Sequence, residues 1–306
     1  MPKTHQKTIK DKIELKGIGL HNGVEVTLKI NPSKVNTGIV FKRIDLKENN
    51  IIHANFENVV EPILCTKLKN DKGASISTVE HLMAAFYGEG IDNVLVEVNA
   101  PEIPIMDGSA VDFVDAIRSV GIQEQKEPKK FIKALKKVEV KDGQKYISIE
   151  PLNHDLIIDF EIVFNNPLIR TRRKEFKLSN DDLTSIYNSR TFCLYEDIDS
   201  IKRMGLAKGG SLDNAIVVQG DKILNEDGLR NRHEFVYHKI LDCLGDIMLS
   251  GNRIFGHIKT SQGGHALTNK LLKKFFSEKA NWSFENSEKN EKENQKSFEN
   301  PVAIGA

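Results

Sequence analysis

His233-Glu234-Phe235-Val236-Tyr237-His238-Lys239-Ile240-Leu241-Asp242-Cys243-Leu244-Gly245-Asp246-Ile247-Met248-Leu249 is the stretch on which the reading of this chain turns. Wound at about 100° per residue, Val236, Ile240, Cys243, Leu244, Ile247 and Met248 form a broad apolar arc. His238, Asp242 and Asp246 fall on the other side, four residues apart, so their side chains share one face. A solvated helical face is usually stocked with Glu, Lys and Gln, whereas His, Asp and Gly are poorer helix formers. Phe235 and Leu249 also interrupt the seam. The stretch therefore reads as a helix whose polar seam faces another part of the protein, not as a plain amphipathic helix turned to water.

Working outward, Ser77 to Tyr87 reads as an earlier helix, with Ser77 or Thr78 as N-cap and Gly88 just past its end. Asn93 to Val98 reads as a strand, Pro101 to Gly108 as a loop, and Ala110 to Val120 as a helix closed by Gly121. Val24 to Ile30 alternates apolar and polar as a half-buried strand does. In the second half, strands are expected around Lys137 to Ile149 and Asp155 to Phe164, and helices from about Asp181 and from Ala266 to Phe276. Gln123 to Lys130 is charged and aperiodic, which places a domain boundary there. The expected organisation is residues 1–125, residues 126–282, and a disordered polar tail over 283–306. The halves share an order of elements but no residue-level repeat.

A length of 306 residues allows one large core or two medium ones, and 39% hydrophobic with 28% charged residues is the composition of a soluble globular protein. A net charge of +1 makes no electrostatic case for nucleic acid or a membrane surface. The three cysteines, Cys65, Cys193 and Cys243, form no paired framework and no Cys-x-x-Cys, which suits a reducing compartment and excludes a cysteine-built zinc site. Met1 to Lys12 lacks the apolar core of a secretory signal, and no apolar run is long enough to span a bilayer. A cytoplasmic protein is expected.

Zinc accepts imidazole nitrogen and carboxylate oxygen, and a catalytic site takes three protein ligands and one water. His238 and Asp242 supply two ligands, and His81, on the earlier helix, is the best-placed third. Glu80, beside that ligand, is positioned to take a proton from the water. The pattern Ser77-Thr78-Val79-Glu80 equally matches a capping box, in which Glu80 bonds back to the N-cap amide, and His81 alone would be an ordinary core histidine. His265, after Gly263-Gly264, is either a histidine at a helix start or an imidazole presented to substrate. Asp246 would then orient it and favour its proton, which an amine leaving group needs. Thr191 offers a hydroxyl to an oxyanion, a weak signal by itself. Gly209-Gly210-Ser211 is a loose phosphate-turn match, and His21, between glycines, defaults to a loop role. Together these residues describe a zinc amidase.

Seven segments resemble the bacterial UDP-3-O-acyl-N-acetylglucosamine deacetylase family of lipid A synthesis. They are Gly17-Ile18-Gly19-Leu20-His21-Asn22-Gly23, Ser77-Thr78-Val79-Glu80-His81-Leu82, Val98 to Ser109 with its Asn-Ala-Pro-Glu-Ile-Pro-Ile-Met-Asp-Gly-Ser run, Arg190-Thr191-Phe192, Leu224 to Arg230, His238 to Asp246, and Gly264-His265-Ala266-Leu267. They occur in order from about Ile13 to Phe276. The resemblance implies an α+β fold of two similar domains, each a layered β-α-α-β sandwich with helices packed between sheets and the active site between domains. It implies zinc on His81, His238 and Asp242, Glu80 as general base, His265 as general acid paired with Asp246, Thr191 as oxyanion donor and Lys239 as a steadying charge. It further implies an apolar acyl passage at Phe192, Ile198, Ala215 and Val217. Asn22, Cys193 and Ala207-Lys208 depart from the family's usual residues. The expected reaction is hydrolysis of the substrate's N-acetyl group by a monomer, with ferrous iron also suited to the N,N,O ligand set. The alternatives are another metal-dependent amidase acting on an acylated nucleotide sugar, a zinc peptidase (which would carry a His-Glu-x-x-His that is absent here), a metal-free dehydratase and a non-catalytic nucleotide-sugar binder.

Overall fold

Strand Val94–Val98 alternates buried and half-buried residues, with Val94, Val96 and Val98 fully buried, as a strand with one face on a core must. It is the centre of a five-stranded sheet in the order Ile13–Ile18, Glu25–Pro32, Val94–Val98, Ile39–Arg43, Ile51–His53. A seven-stranded sheet gathers around Arg253–Ser261, which pairs in parallel with Lys130–Ala134 and Leu156–Ile162 and antiparallel with Lys145–Glu150. The computed structural model describes residues 4–60 and 62–286. Among them no helix is long and apolar enough to cross a membrane.

Among the described residues six α-helices accompany the sheets: α1 (Glu80–Glu89), α2 (Val111–Val120), α3 (Thr184–Tyr187), α4 (Ile198–Arg203), α5 (Glu234–Met248) and α6 (His265–Ser277). α2 and α6 are amphipathic, burying Phe113, Val114 and Ile117, and Leu267, Leu271, Leu272 and Phe275. α1 and α5 are different. All residues of α1 from Glu80 to Tyr87 are buried, and α5 is buried throughout except at Tyr237 and Lys239. A helix buried all round belongs inside a layered core. α5 lies against three strands of the large sheet and packs directly on α1. That crossing is close because of Gly245, where a Cβ would overlap the carbonyl oxygen of Glu80. The architecture is the α+β one, with the expected helix over His233–Leu249 in place.

Five local expectations are corrected. α1 begins at Glu80 and not at Ser77, because Ser75–Ser77 is a strand paired with Lys67–Lys69 and Thr78 sits at a positive φ of 58°. The helix ends at Gly90 and not at Gly88. The helix expected from about Asp181 is the four-residue α3. Residues 122–128, read as aperiodic, form a strand paired antiparallel with His5–Ile9. The tail expected from residue 283 is ordered at its start, because Trp282–Asn286 is an edge strand on Lys130–Ala134. The rest of that expectation, residues 287–306, lies outside the described residues.

Candidate active site

The first turn of α1 and the middle of α5 bring His81, His238 and Asp242 together. His81 Nε2 and His238 Nε2 lie 3.5 Å and 3.4 Å from the same atom, Asp242 Oδ1. The three ligand atoms fall within 4.8 Å of one another, all on buried residues. Asp242 Oδ1 has no hydrogen-bond donor among the described residues, while Oδ2 takes the Lys239 ammonium at 2.9 Å. A buried carboxylate oxygen without a donor is costly unless something else neutralises it.

The ring of His238 is fixed in the ligating tautomer. A carbonyl only accepts, so the 3.0 Å contact with Ser189 O means Nδ1–H donates and Nε2 keeps its lone pair. Burial pushes His238 down to about 3 against the opposing pull of Asp242, so the ring is neutral. Asp242 is held well below the usual carboxylate range: burial opposes this, but the neighbouring His238 and Lys239, with His81 beside them, outweigh it. Two imidazole nitrogens and an ionised oxygen around one point are the donor set of a borderline divalent ion. The residues present fit a metal. Burial and the neighbouring Glu80 push the Cys65 thiol up to about 12, so it stays protonated.

Beside the cradle stand His265 and Glu80. His265 opens α6, its Nδ1–H donates to Asp246 Oδ2 at 2.9 Å, and its Nε2 faces Glu80 Oε1 at 3.7 Å. Burial works against a charged ring, yet Asp246 and Glu80 raise His265 to about 10. Glu80 is raised too, mainly by burial, with His265 and His81 opposing. Its capping-box role is not realised: Glu80 Oε2 accepts instead from the Thr66 amide at 3.0 Å, and α1 has no side-chain cap.

A cavity of about 740 Å³ adjoins these groups, with Thr191, Lys239 and His265 in its wall. Phe192, Ile198, Ala215 and Val217 line it as well: Phe192 and Val217 on the short strands Phe192–Leu194 and Ile216–Gln219, Ala215 just before the second of these, and Ile198 on α4. Lys239 sits 5.6 Å from the Phe192 ring centroid. All twelve residues singled out from the sequence thus meet at the cradle or the cavity.

Several residues that hold the site lie within the resembling segments but receive no role from the sequence. The buried Glu102 carboxylate accepts from the amides of His21 and Asn22 and from the Thr78 hydroxyl, tying the glycine turn to the start of α1. Asp107 bonds Ser109 and Arg230, and the Thr191 amide donates to Gly108 O at 2.7 Å. A Cβ at Gly108, which has φ of 87°, would overlap the carbonyl oxygen of Asn214. Buried Arg190 bonds Glu234, Asp227 and Gly228 O, fixing Thr191 against the start of α5. His21, read as a loop residue, is buried and lines the cavity.

Residues 6–277 match the family described as UDP-3-O-acyl N-acetylglycosamine deacetylase, LpxC. The chain belongs to that family. It is a deacetylase, a hydrolase of the amide class. It is 45% identical over 290 residues to the UDP-3-O-acyl-N-acetylglucosamine deacetylase of Mannheimia succiniciproducens, covering 94% of this chain and 95% of the relative. It is 44% identical over 302 residues to the enzyme of that name from Aliivibrio fischeri, covering 98% of each. The deacetylase motifs that carried the resemblance are the segments now seen bonded to one another around the cradle.

Proposed function

We propose that this deacetylase hydrolyses the N-acetyl group of UDP-3-O-acyl-N-acetylglucosamine, giving acetate and UDP-3-O-acyl-glucosamine, the committed step of lipid A biosynthesis. The observation that carries the reading is the convergence of His81, His238 and Asp242 beside Glu80 and His265, both of which hold a proton more tightly than usual. His81, His238 and Asp242 would hold zinc, or ferrous iron in the cell. Such an ion supplies Lewis acidity towards the amide carbonyl and lowers the pKa of water towards about 7.

Glu80 Oε1 removes the proton of the attacking water, its affinity for that proton raised mainly by burial. As the carbonyl carbon gains its bond to the water oxygen, negative charge builds on the acetyl oxygen. Thr191 donates a hydroxyl proton to that oxygen and Lys239 faces it with a positive charge. A donor so placed is worth roughly 3–4 kcal/mol of barrier. His265, held protonated by Asp246, gives its Nε2 proton to the amine nitrogen as the C–N bond breaks. Phe192, Ile198, Ala215 and Val217 enclose the 3-O-acyl chain in the cavity and exclude water from it. In this reading Glu80 and His81 belong to an N-terminal domain, residues 1–125, and the other groups to a second domain beginning at residue 126. The enzyme works in the cytoplasm as a monomer.

The test is acetate release from the UDP-linked substrate before and after chelation, with zinc and ferrous iron restored separately. Release that disappears and returns supports both substrate and ion; no release from metal-loaded protein overturns the reading. Light scattering of the purified chain checks the monomer.

A further inference from the structure

Thr66 lies outside every segment that carries the family resemblance, yet it touches all three groups that handle protons. It stands between α1, α5 and α6 and is 1% exposed. Its amide donates to Glu80 Oε2 at 3.0 Å, and its hydroxyl donates to Asp246 Oδ1 at 2.5 Å. The same hydroxyl oxygen is 3.1 Å from His265 Nδ1, where it accepts a share of the proton that Nδ1 gives Asp246.

We propose that Thr66 is a positioning residue for the reaction, tying the base Glu80 to the acid pair Asp246–His265 through one residue. The proposal rests on the roles given to those three groups above. Each carboxylate is gripped at one oxygen and left free at the other. Thr66 takes Glu80 Oε2, so Oε1 is the oxygen turned to His265 Nε2. It takes Asp246 Oδ1, so Oδ2 is the oxygen that receives Nδ1–H. With both planes fixed, the His265 ring has one orientation, and its Nε2–H points at the space in front of Glu80. A hydroxyl is required because the contact to Asp246 needs a donor and the contact to His265 needs an acceptor, and a hydroxyl is both. The amide contact is independent of side chain, so substitution at 66 isolates the Asp246–His265 limb.

Thr66→Val keeps the shape and removes the hydroxyl, and Thr66→Ser keeps the hydroxyl and removes the methyl group. With wild-type acetate release as control, Thr66→Val is expected to lower kcat about tenfold, the size of effect seen when an orienting partner is lost. KM should stay within about twofold and metal content should match wild type. Thr66→Ser should recover most of the rate. In an Asp246→Asn background the Thr66→Val change should cost little more, because the hydroxyl acts through that carboxylate. Unchanged kcat in Thr66→Val, equal losses in Val and Ser variants, or full additivity with Asp246→Asn would each overturn the proposal while leaving the deacetylase reading intact. Inactive metal-loaded wild type would sink that reading, and the proposal with it. Should Thr66→Val not be recovered folded, Thr66→Ala carries the same test.

Discussion

The His81–His238–Asp242 cradle and the cavity beside it are neighbours built from opposite kinds of structure. The cradle's ligands stand on α1 and α5, two helices buried on all sides and pressed together at Gly245. The cavity wall comes from strands of three and four residues and the six-residue α4, with Tyr195 and Leu212 largely exposed at its margin. Buried helices hold a side chain through dense packing, whereas short edge elements hold it through a few contacts. Under the proposed function, chemistry and substrate choice sit on parts of different stiffness, and changes to one should leave the other's signature untouched.

The largest effects are expected at the proton-handling groups. Glu80→Ala and His265→Ala should each lower kcat/KM by about 10²- to 10⁴-fold while metal content, read by atomic emission, stays at the wild-type level. Next come the cavity walls. Ala215→Trp should fill the apolar space and cost about 10- to 100-fold in kcat/KM for long acyl chains, with short-chain turnover and melting temperature preserved. If chain-length preference did not move, the cavity would not be the acyl site, and the contrast with the cradle would lose its meaning. Gly245→Ala attacks the other side of the comparison. Overpacking against the Glu80 carbonyl should cost about 1–3 kcal/mol in denaturant unfolding and lower activity together with stability.

The smallest and sharpest test is pH. His265 is raised from 6.5 to about 10 in the folded protein, with Asp246 and Glu80 prevailing over burial. Its contribution to stability is complete below pH 6.5 and is lost as pH rises through about 10. The alkaline limb of kcat/KM should fall in the same upper region, because the acid is spent once that proton leaves. Asp246→Asn removes the leading favourable partner, so this limb should move to lower pH by one unit or more. An unmoved limb would separate His265 from the acid role.

Much of this was legible in the residues, and the parts that were not share a cause. The His238–Asp242 spacing is local, set by helical geometry alone, and α5 matched its expected span within a residue at each end. Strand 122–128 was hidden because its partner is His5–Ile9, more than a hundred positions away, and a charged sequence pairs as well as an apolar one at a surface. The strand Trp282–Asn286 was lost to tail-like composition for the same reason: its order comes from backbone bonds to Lys130–Ala134. Ser77-Thr78-Val79-Glu80 presented a capping box, but Glu102 takes the Thr78 hydroxyl and Thr66 takes the glutamate, so tertiary partners displaced the local ones. Thr66 itself offers no spacing or neighbour that distinguishes it from any buried threonine.

The contact between Gly245 and the Glu80 carbonyl makes the width of the ion cradle a backbone dimension. Two helix axes that meet through main-chain atoms have a separation fixed by van der Waals radii, with no side chain to serve as an adjustable spacer. Sequence drift in the surrounding sheets then shows up as a gain or loss of stability, while the ruler between His81 and His238 keeps its length. A lineage can rewrite its outer layers widely and inherit the same reaction.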